Sequence, residues 1–276
     1  MPFVTTHDGT ALFARRWGDG PPIVFCHAWA LGSEAWQPLM MAARLAGFSA
    51  IAYDRRGHGR SDDPGRGYDY DTLADDLAAV MTAFDVQGAT MVGHSMGAGE
   101  IVRYLARHGS GRVARVAMLA PALPYNLKSA DNPAGSTDPE VAAAWRAQWV
   151  TDYADWIGGA VAGAFGAGAP AERVRQTTRI MLGCSLQAAI ELNLAITETD
   201  FRPELRRLET PTLVIHGDAD QSCPLEATGA RLPSLMLNCR LQVYAGANHT
   251  LILSEVGRIM ADLVAFIGEG SQAAAA

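Results

Sequence analysis

Positive charge is in the minority in this chain. Lys plus Arg number 22 against 29 Asp plus Glu, for a formal net charge of −7, and no basic run is present. Nucleic acid and an anionic membrane surface are therefore poor partners. No apolar run reaches the roughly 20 residues that span a bilayer, and the start, MPFVTTHDGT, shows no basic region leading into an apolar one, so no secretory signal is expected. Cysteine is scarce. Cys26, Cys184, Cys223 and Cys239 have neither CxxC spacing nor the density of a disulfide framework, and reduced thiols are expected. No cluster of His and carboxylates has ligand spacing, so neither metal nor cofactor is expected. What remains is a mildly acidic globular chain, expected in the cytoplasm, with self-association into a homo-oligomer left open.

What is present is a repeat of short apolar runs and amphipathic segments, the pattern of a mostly parallel sheet covered by helices. ALFARRW alternates and reads as an antiparallel strand on the edge side. IVFCHA, FSAIAYD, ATMVGH, VARVAMLAP, TPTLVIHGD and CRLQVYAG read as further strands. Helices are expected at Glu34 to Leu45, Thr72 to Phe84, Gly97 to Arg107, Leu225 to Leu232 and Leu251 to Ile267. The repeat breaks between Pro121 and Pro211, where helical-looking runs carry aromatic and small residues. The expected organisation is a core of residues 1–121 and 211–268, a helical insertion over 122–210 and a disordered tail from 269.

The stretch MVGHSMGAGE sets Ser95 between two glycines where a strand should pass into a helix. Gly93-His94-Ser95-Met96-Gly97 matches G-x-S-x-G in that context, a turn whose strain presents a hydroxyl. The helix that follows points N–H groups and its dipole at developing negative charge. A serine nucleophile needs a base, and the base needs an orienting acid, in the chain order Ser, acid, His. His249, in the loop GANHTLILSE, fits as base, whereas His216 precedes both candidate acids. In HGDADQSCP, Asp218 reads as a turn-former, and Asp220 is expected to reach the imidazole. The oxyanion donors are expected to be the N–H of Met96 and, from the loop HAWALG, that of Trp29. Trp145, Trp149, Tyr153 and Trp156 stand at helical spacing. Of these the three tryptophans, with Ala30, are candidate pocket residues.

Together, YDRRGHGRSD, GHSMGAGEIVRYLARHG, RVARVAMLAPALPYNLKSADNPAG and VIHGDADQSCP resemble the α/β-hydrolase superfamily. More narrowly, they are similar to its cofactor-free haloperoxidase, aryl-esterase and perhydrolase branch, over nearly the whole chain. The resemblance implies an eight-stranded α/β-hydrolase fold with a helical cap. It also implies nucleophile Ser95, acid Asp220, base His249 and oxyanion N–H groups from Trp29 and Met96. The sequence departs from the family's pattern at Cys26, Ala28 and Thr250 without losing a catalytic group. Asp54, Arg56, His58, His27 and His94 are expected to be structural. The function implied is hydrolysis of small-molecule carboxylic esters or lactones. Perhydrolysis and amide or lactam cleavage are rivals, and a ligand-binding protein on the same scaffold is a rival of another class. Ala30 stands where dedicated perhydrolytic relatives have proline, which favours hydrolysis.

Overall fold

Strands that are apolar on both faces need cover on both faces, and that requirement shapes this molecule. The computed structural model describes residues 2–166 and 169–273. Its strands are β1 (Phe3–Thr5), β2 (Ala11–Trp17), β3 (Pro22–Cys26), β4 (Ser49–Tyr53), β5 (Ala89–His94), β6 (Val113–Leu119), β7 (Thr212–Gly217) and β8 (Cys239–Tyr244). They form one sheet in the order β1-β2-β4-β3-β5-β6-β7-β8. β1 and β2 pair antiparallel, β2 is antiparallel to β4, and every other pairing is parallel. All residues of β4, β5 and β7 are buried.

The helices are α1 (Gln37–Leu45), α2 (Tyr70–Ala83), α3 (Met96–His108), α4 (Pro139–Phe165), α5 (Ala171–Met181), α6 (Leu186–Glu198), α7 (Arg202–Leu205), α8 (Leu251–Ser254) and α9 (Val256–Ala273). Alternation along β3 divides the core between the two faces. Val24 packs with Leu73, Leu77, Ile101 and Val102 of α2 and α3. Ile23 and Phe25 pack with Leu39, Met40, Ile259 and Leu263 of α1 and α9. Truncating one of these leucines to alanine costs about 2–5 kcal/mol. The Asp69 carboxylate starts α2 by accepting the Thr72 N–H at 2.9 Å.

Between β6 and β7 the described residues form α4 to α7 and no strand. Within α4, Asp152 leaves the helical region at φ −152°, ψ 66°, so the element bends there.

Three expectations about elements need correction. Leu225 to Leu232 is not one helix but two 3-10 turns, Leu225–Ala227 and Gly229–Ser234. The Thr228 hydroxyl lies between them, bound to the carbonyls of Cys223 and Pro224 at 3.2 and 2.8 Å, and competes with a helical ladder. The C-terminal helix is interrupted at Glu255. It also runs on to Ala273, five residues past Gly268, through part of the stretch expected to be a disordered tail; residues 274–276 lie outside the described ones. β1 was not expected at all, being three residues long.

Candidate active site

Ser95 ends β5 and caps α3 with φ 53° and ψ −116°, a backbone conformation that costs a non-glycine residue about 1–3 kcal/mol. The elbow is held from both sides. Its N–H donates to the Leu119 carbonyl at 3.0 Å, and its carbonyl accepts from Ala98 and Ala122 at 3.1 and 3.2 Å. The flanking glycines are required by contact. A Cβ on Gly93 would lie 2.6 Å from the Ala98 nitrogen, and one on Gly97 would lie 2.2 Å from the Cys26 carbonyl oxygen.

The loops after β7 and β8 bring Asp220 and His249 together. His249 Nδ1 lies 2.7 Å from Asp220 Oδ2, and the Asp220 side chain is fully buried. Its other oxygen accepts the Ser222 and Cys223 N–H groups at 2.9 and 2.8 Å. Burial alone would raise the Asp220 pKa. The neighbouring His249, hydrogen bonds from His216 and His249 and the Cys223 N–H hold it instead well below the usual carboxylate range. An ionised Asp220 fixes the His249 proton on Nδ1 and leaves Nε2 with a free lone pair. Asp218 does something else: it is exposed, and its Oδ1 accepts the Gly246 N–H at 2.7 Å, tying the two loops together. His216 is fully buried, with Nε2 2.8 Å from the Cys223 carbonyl and 3.3 Å from Asp220 Oδ2.

Ser95 and His249 line one cavity of about 430 Å³. Among the described residues, Ser95 Oγ makes no hydrogen bond to His249 in this arrangement; such bonds often close only around substrate. Trp29, Trp145, Trp149 and Trp156 all line the cavity. The Trp29 indole packs on Trp149 at 4.9 Å and edge-on to Trp156 at 5.9 Å, and donates Nε1–H to the Ala189 carbonyl of α6 at 2.8 Å. Tyr153 is not a lining residue. Nor is Ala30, contrary to expectation: it is fully buried at φ 56°, and that turn sends its methyl into the core cluster beneath α2 and α3.

The N–H groups of Trp29 and Met96 find no protein acceptor among the described residues. Met96 opens α3, where no intrahelical acceptor exists. Both are free to serve an oxyanion.

Sequence reasoning missed several lining groups. Cys223 lies beside the Ser95 hydroxyl, and burial pushes its thiol pKa well up, so it stays neutral. Asn126, Thr137 and Asn193 come from the segment between β6 and β7, whose packing no motif announces. No Asp, Glu, Lys or Arg is among the lining residues. Of the residues expected to be structural, Asp54 accepts the Ser33 N–H at 2.6 Å, and Arg56 pairs with Asp76 at 2.7 Å. No group of three or more His, Cys, Asp or Glu among the described residues could hold a metal ion.

A doubly covered sheet carrying a strained serine at its central elbow, with a buried Asp bonded to a partly exposed His on the following loops, defines the α/β-hydrolase class. The alpha/beta hydrolase fold family matches residues 21–256, and the chain belongs to that family. Within it, the chain is 37% identical over 276 residues to the non-heme chloroperoxidase CPO-A1 of Kitasatospora aureofaciens, covering 98% of this chain and 100% of that one. It is 36% identical to the bifunctional esterase/perhydrolase DCH of Acinetobacter calcoaceticus, covering 97% and 99%. The bromoperoxidase from Bacillus anthracis superposes with a TM-score of 0.93 at 29% identity, covering 96% of this chain and 99% of that one.

Proposed function

We propose that this protein is a serine hydrolase of small, uncharged carboxylic esters or lactones, acting through an acyl-enzyme on Ser95. The observation that carries the reading is the 2.7 Å contact of His249 with a buried Asp220, in the cavity that the strained Ser95 also lines. His249 Nε2 takes the Ser95 proton as the hydroxyl oxygen attacks the substrate carbonyl. The tetrahedral oxyanion accepts the N–H groups of Trp29 and Met96 at the positive end of α3. His249 returns the proton to the leaving alcohol, then activates water to release the acid. Asp220 stays ionised and holds the imidazole in one tautomer. The reactants are the ester and water, and the groups that act on them are Ser95, His249, Asp220 and two backbone N–H groups. The four free cysteines fit a reducing compartment, and we place the protein in the cytoplasm. No helix among the described residues is long and apolar enough to cross a membrane.

Ser95→Ala tests this. The variant should melt like the wild type and lose turnover of 4-nitrophenyl esters, leaving about 10³ to 10⁴ over water from the oxyanion hole and binding. A fluorophosphonate should label wild type and not the variant. Turnover that survives the substitution refutes the mechanism. A second reading, perhydrolysis with hydrogen peroxide in place of water, rests on the names of the relatives. Ala30 weighs against it as the main activity, because a φ of 56° is closed to proline.

A further inference from the structure

The peptide joining Ala28 to Trp29 has two ends with different partners. Its carbonyl, Ala28 O, accepts from His27 Nδ1 at 2.8 Å, from the Leu31 N–H at 3.3 Å and from Arg55 Nη1 at 3.3 Å. Its N–H belongs to Trp29 and has no protein acceptor among the described residues. The peptide is trans, so the two groups point in opposite directions. Fixing the carbonyl on the buried side therefore aims the N–H to the cavity side, where Trp29 and Ser95 meet.

The groups that fix the carbonyl are themselves fixed. His27 is fully buried, and its Nε2 accepts the Arg55 backbone N–H at 3.1 Å, which leaves the ring proton on Nδ1 for Ala28 O. Burial first, and the Arg55 charge second, lower the His27 pKa well below the usual value, so the ring is neutral and keeps that tautomer. The Arg55 fork also donates Nη2–H to the His27 carbonyl, and its Nε pairs with Glu100. Arg55 and Glu100 are both wholly buried, and Tyr53 donates its hydroxyl to the second Glu100 oxygen. Burial works against the charge on Arg55, but Glu100 opposite holds it protonated. Glu100 lies on α3, one turn beyond Met96. The same ion pair thus ties the loop bearing one oxyanion donor to the helix bearing the other.

We infer that His27 and Arg55, backed by Glu100, are positioning residues that lock the Ala28–Trp29 peptide with its N–H toward the reacting carbonyl. The inference rests on the ester-hydrolase reading of Ser95. It assigns these buried groups to transition-state binding, a role that leaves substrate affinity untouched.

Two variants test it. Arg55→Lys keeps a cation opposite Glu100 but has no fork to reach two carbonyls. His27→Phe keeps the ring and removes the Nδ1–H. Turnover of 4-nitrophenyl acetate, the inhibition constant of phenylboronic acid and the melting temperature are measured for each. Removing one oxyanion donor costs about 10²- to 10³-fold in kcat, so loosening one should cost about 10- to 100-fold with KM within about threefold. Boronate binding, which places a tetrahedral oxygen in the hole, should weaken in step with kcat. A folded variant with wild-type kcat and boronate affinity overturns the inference, as does a loss seen in KM alone. Should both variants unfold, a crystal structure of the wild-type boronate adduct decides. An adduct oxygen on Trp29 N, with Ala28 O still on His27 and Arg55, supports the lock, and a turned peptide refutes it. A wild type without Ser95-dependent hydrolysis would instead remove the hydrolase reading itself, and the lock with it.

Discussion

The His94 imidazole packs 4.9 Å from that of His249 and lies 3.0 Å, through Nε2, from the His249 carbonyl oxygen. The residue before Ser95 thus holds the loop that carries His249. Burial, followed by the nearby His249, pushes the His94 pKa down to about 3, so His94 stays neutral and gives its one proton to that carbonyl. His94→Phe keeps the stacking and deletes the hydrogen bond. With such a bond worth about 1 kcal/mol, kcat should fall roughly five- to tenfold. Steady-state kinetics on one aryl ester measures this, and an unchanged kcat would show that the base loop needs no support from β5.

Asp220 and Asp218 follow the same strand with different partners, and their amides should separate cleanly. Asp220→Asn keeps the shape but favours the wrong His249 tautomer, which should cost about 10⁴ in turnover. Asp218→Asn weakens one link to Gly246 and should cost about 1 kcal/mol of stability with activity retained. Turnover numbers in the opposite rank would move the acid to Asp218.

A cavity without a charged side chain in its lining should reject charged substrates. Burying a carboxylate there without a partner costs about 3 kcal/mol or more, or roughly 100-fold in kcat/KM. The comparison is 4-nitrophenyl butyrate against 4-nitrophenyl hemisuccinate, similar in length and differing in charge. Equal kcat/KM values would mean that the acyl group stays in solvent.

Acid should destabilise the fold through His58, which is 1% exposed. Burial and then Arg55 push its pKa down to about 3. The unfolded chain protonates this group near 6.5 and the folded chain only near 3. The unfolded state therefore binds more protons between those values, and stability falls as pH drops through that window. The slope reaches about 1.4 kcal/mol per pH unit for one such group. The buried carboxyls of Asp54, Asp76 and Glu100, whose pKa values are raised by burial, act in the opposite direction but are common to wild type and variant. His58→Asn retains a donor for the Arg56 carbonyl. Its stability relative to wild type should rise as pH falls from about 7 to about 4. Urea unfolding at several pH values gives the two curves, and parallel curves would refute the assignment.

The strands that carry the site were legible because burial on both faces leaves near-continuous apolar runs, and the Ser95 elbow because sterics demand its glycines. β1 was not, since three residues carry too little pattern. The 3-10 turns after Pro224 escaped because a Thr228 hydroxyl decides them, not periodicity. Ala30 is singled out by the family resemblance, which says nothing of where its methyl points, and a positive φ reverses the chain there. Arg55 and Glu100 are 45 residues apart, and nothing local to either marks them as partners. The lining from Asn126, in the loop after β6, and from Asn193, on α6, depends on how that loop docks against α6, which neither segment encodes alone.

The Trp29 indole bond to the Ala189 carbonyl joins the loop after β3 to α6, whose Asn193, Ile196 and Thr197 line the cavity. If Ser95 acts as proposed, the groups that would select a substrate and the N–H that would meet its oxyanion are mechanically joined. A change in α6 that reshapes the cavity would also pull on Trp29. On the proposed mechanism, a substitution in α6 that widens the substrate range should therefore also lower kcat, and a second substitution in the loop after β3 should restore it.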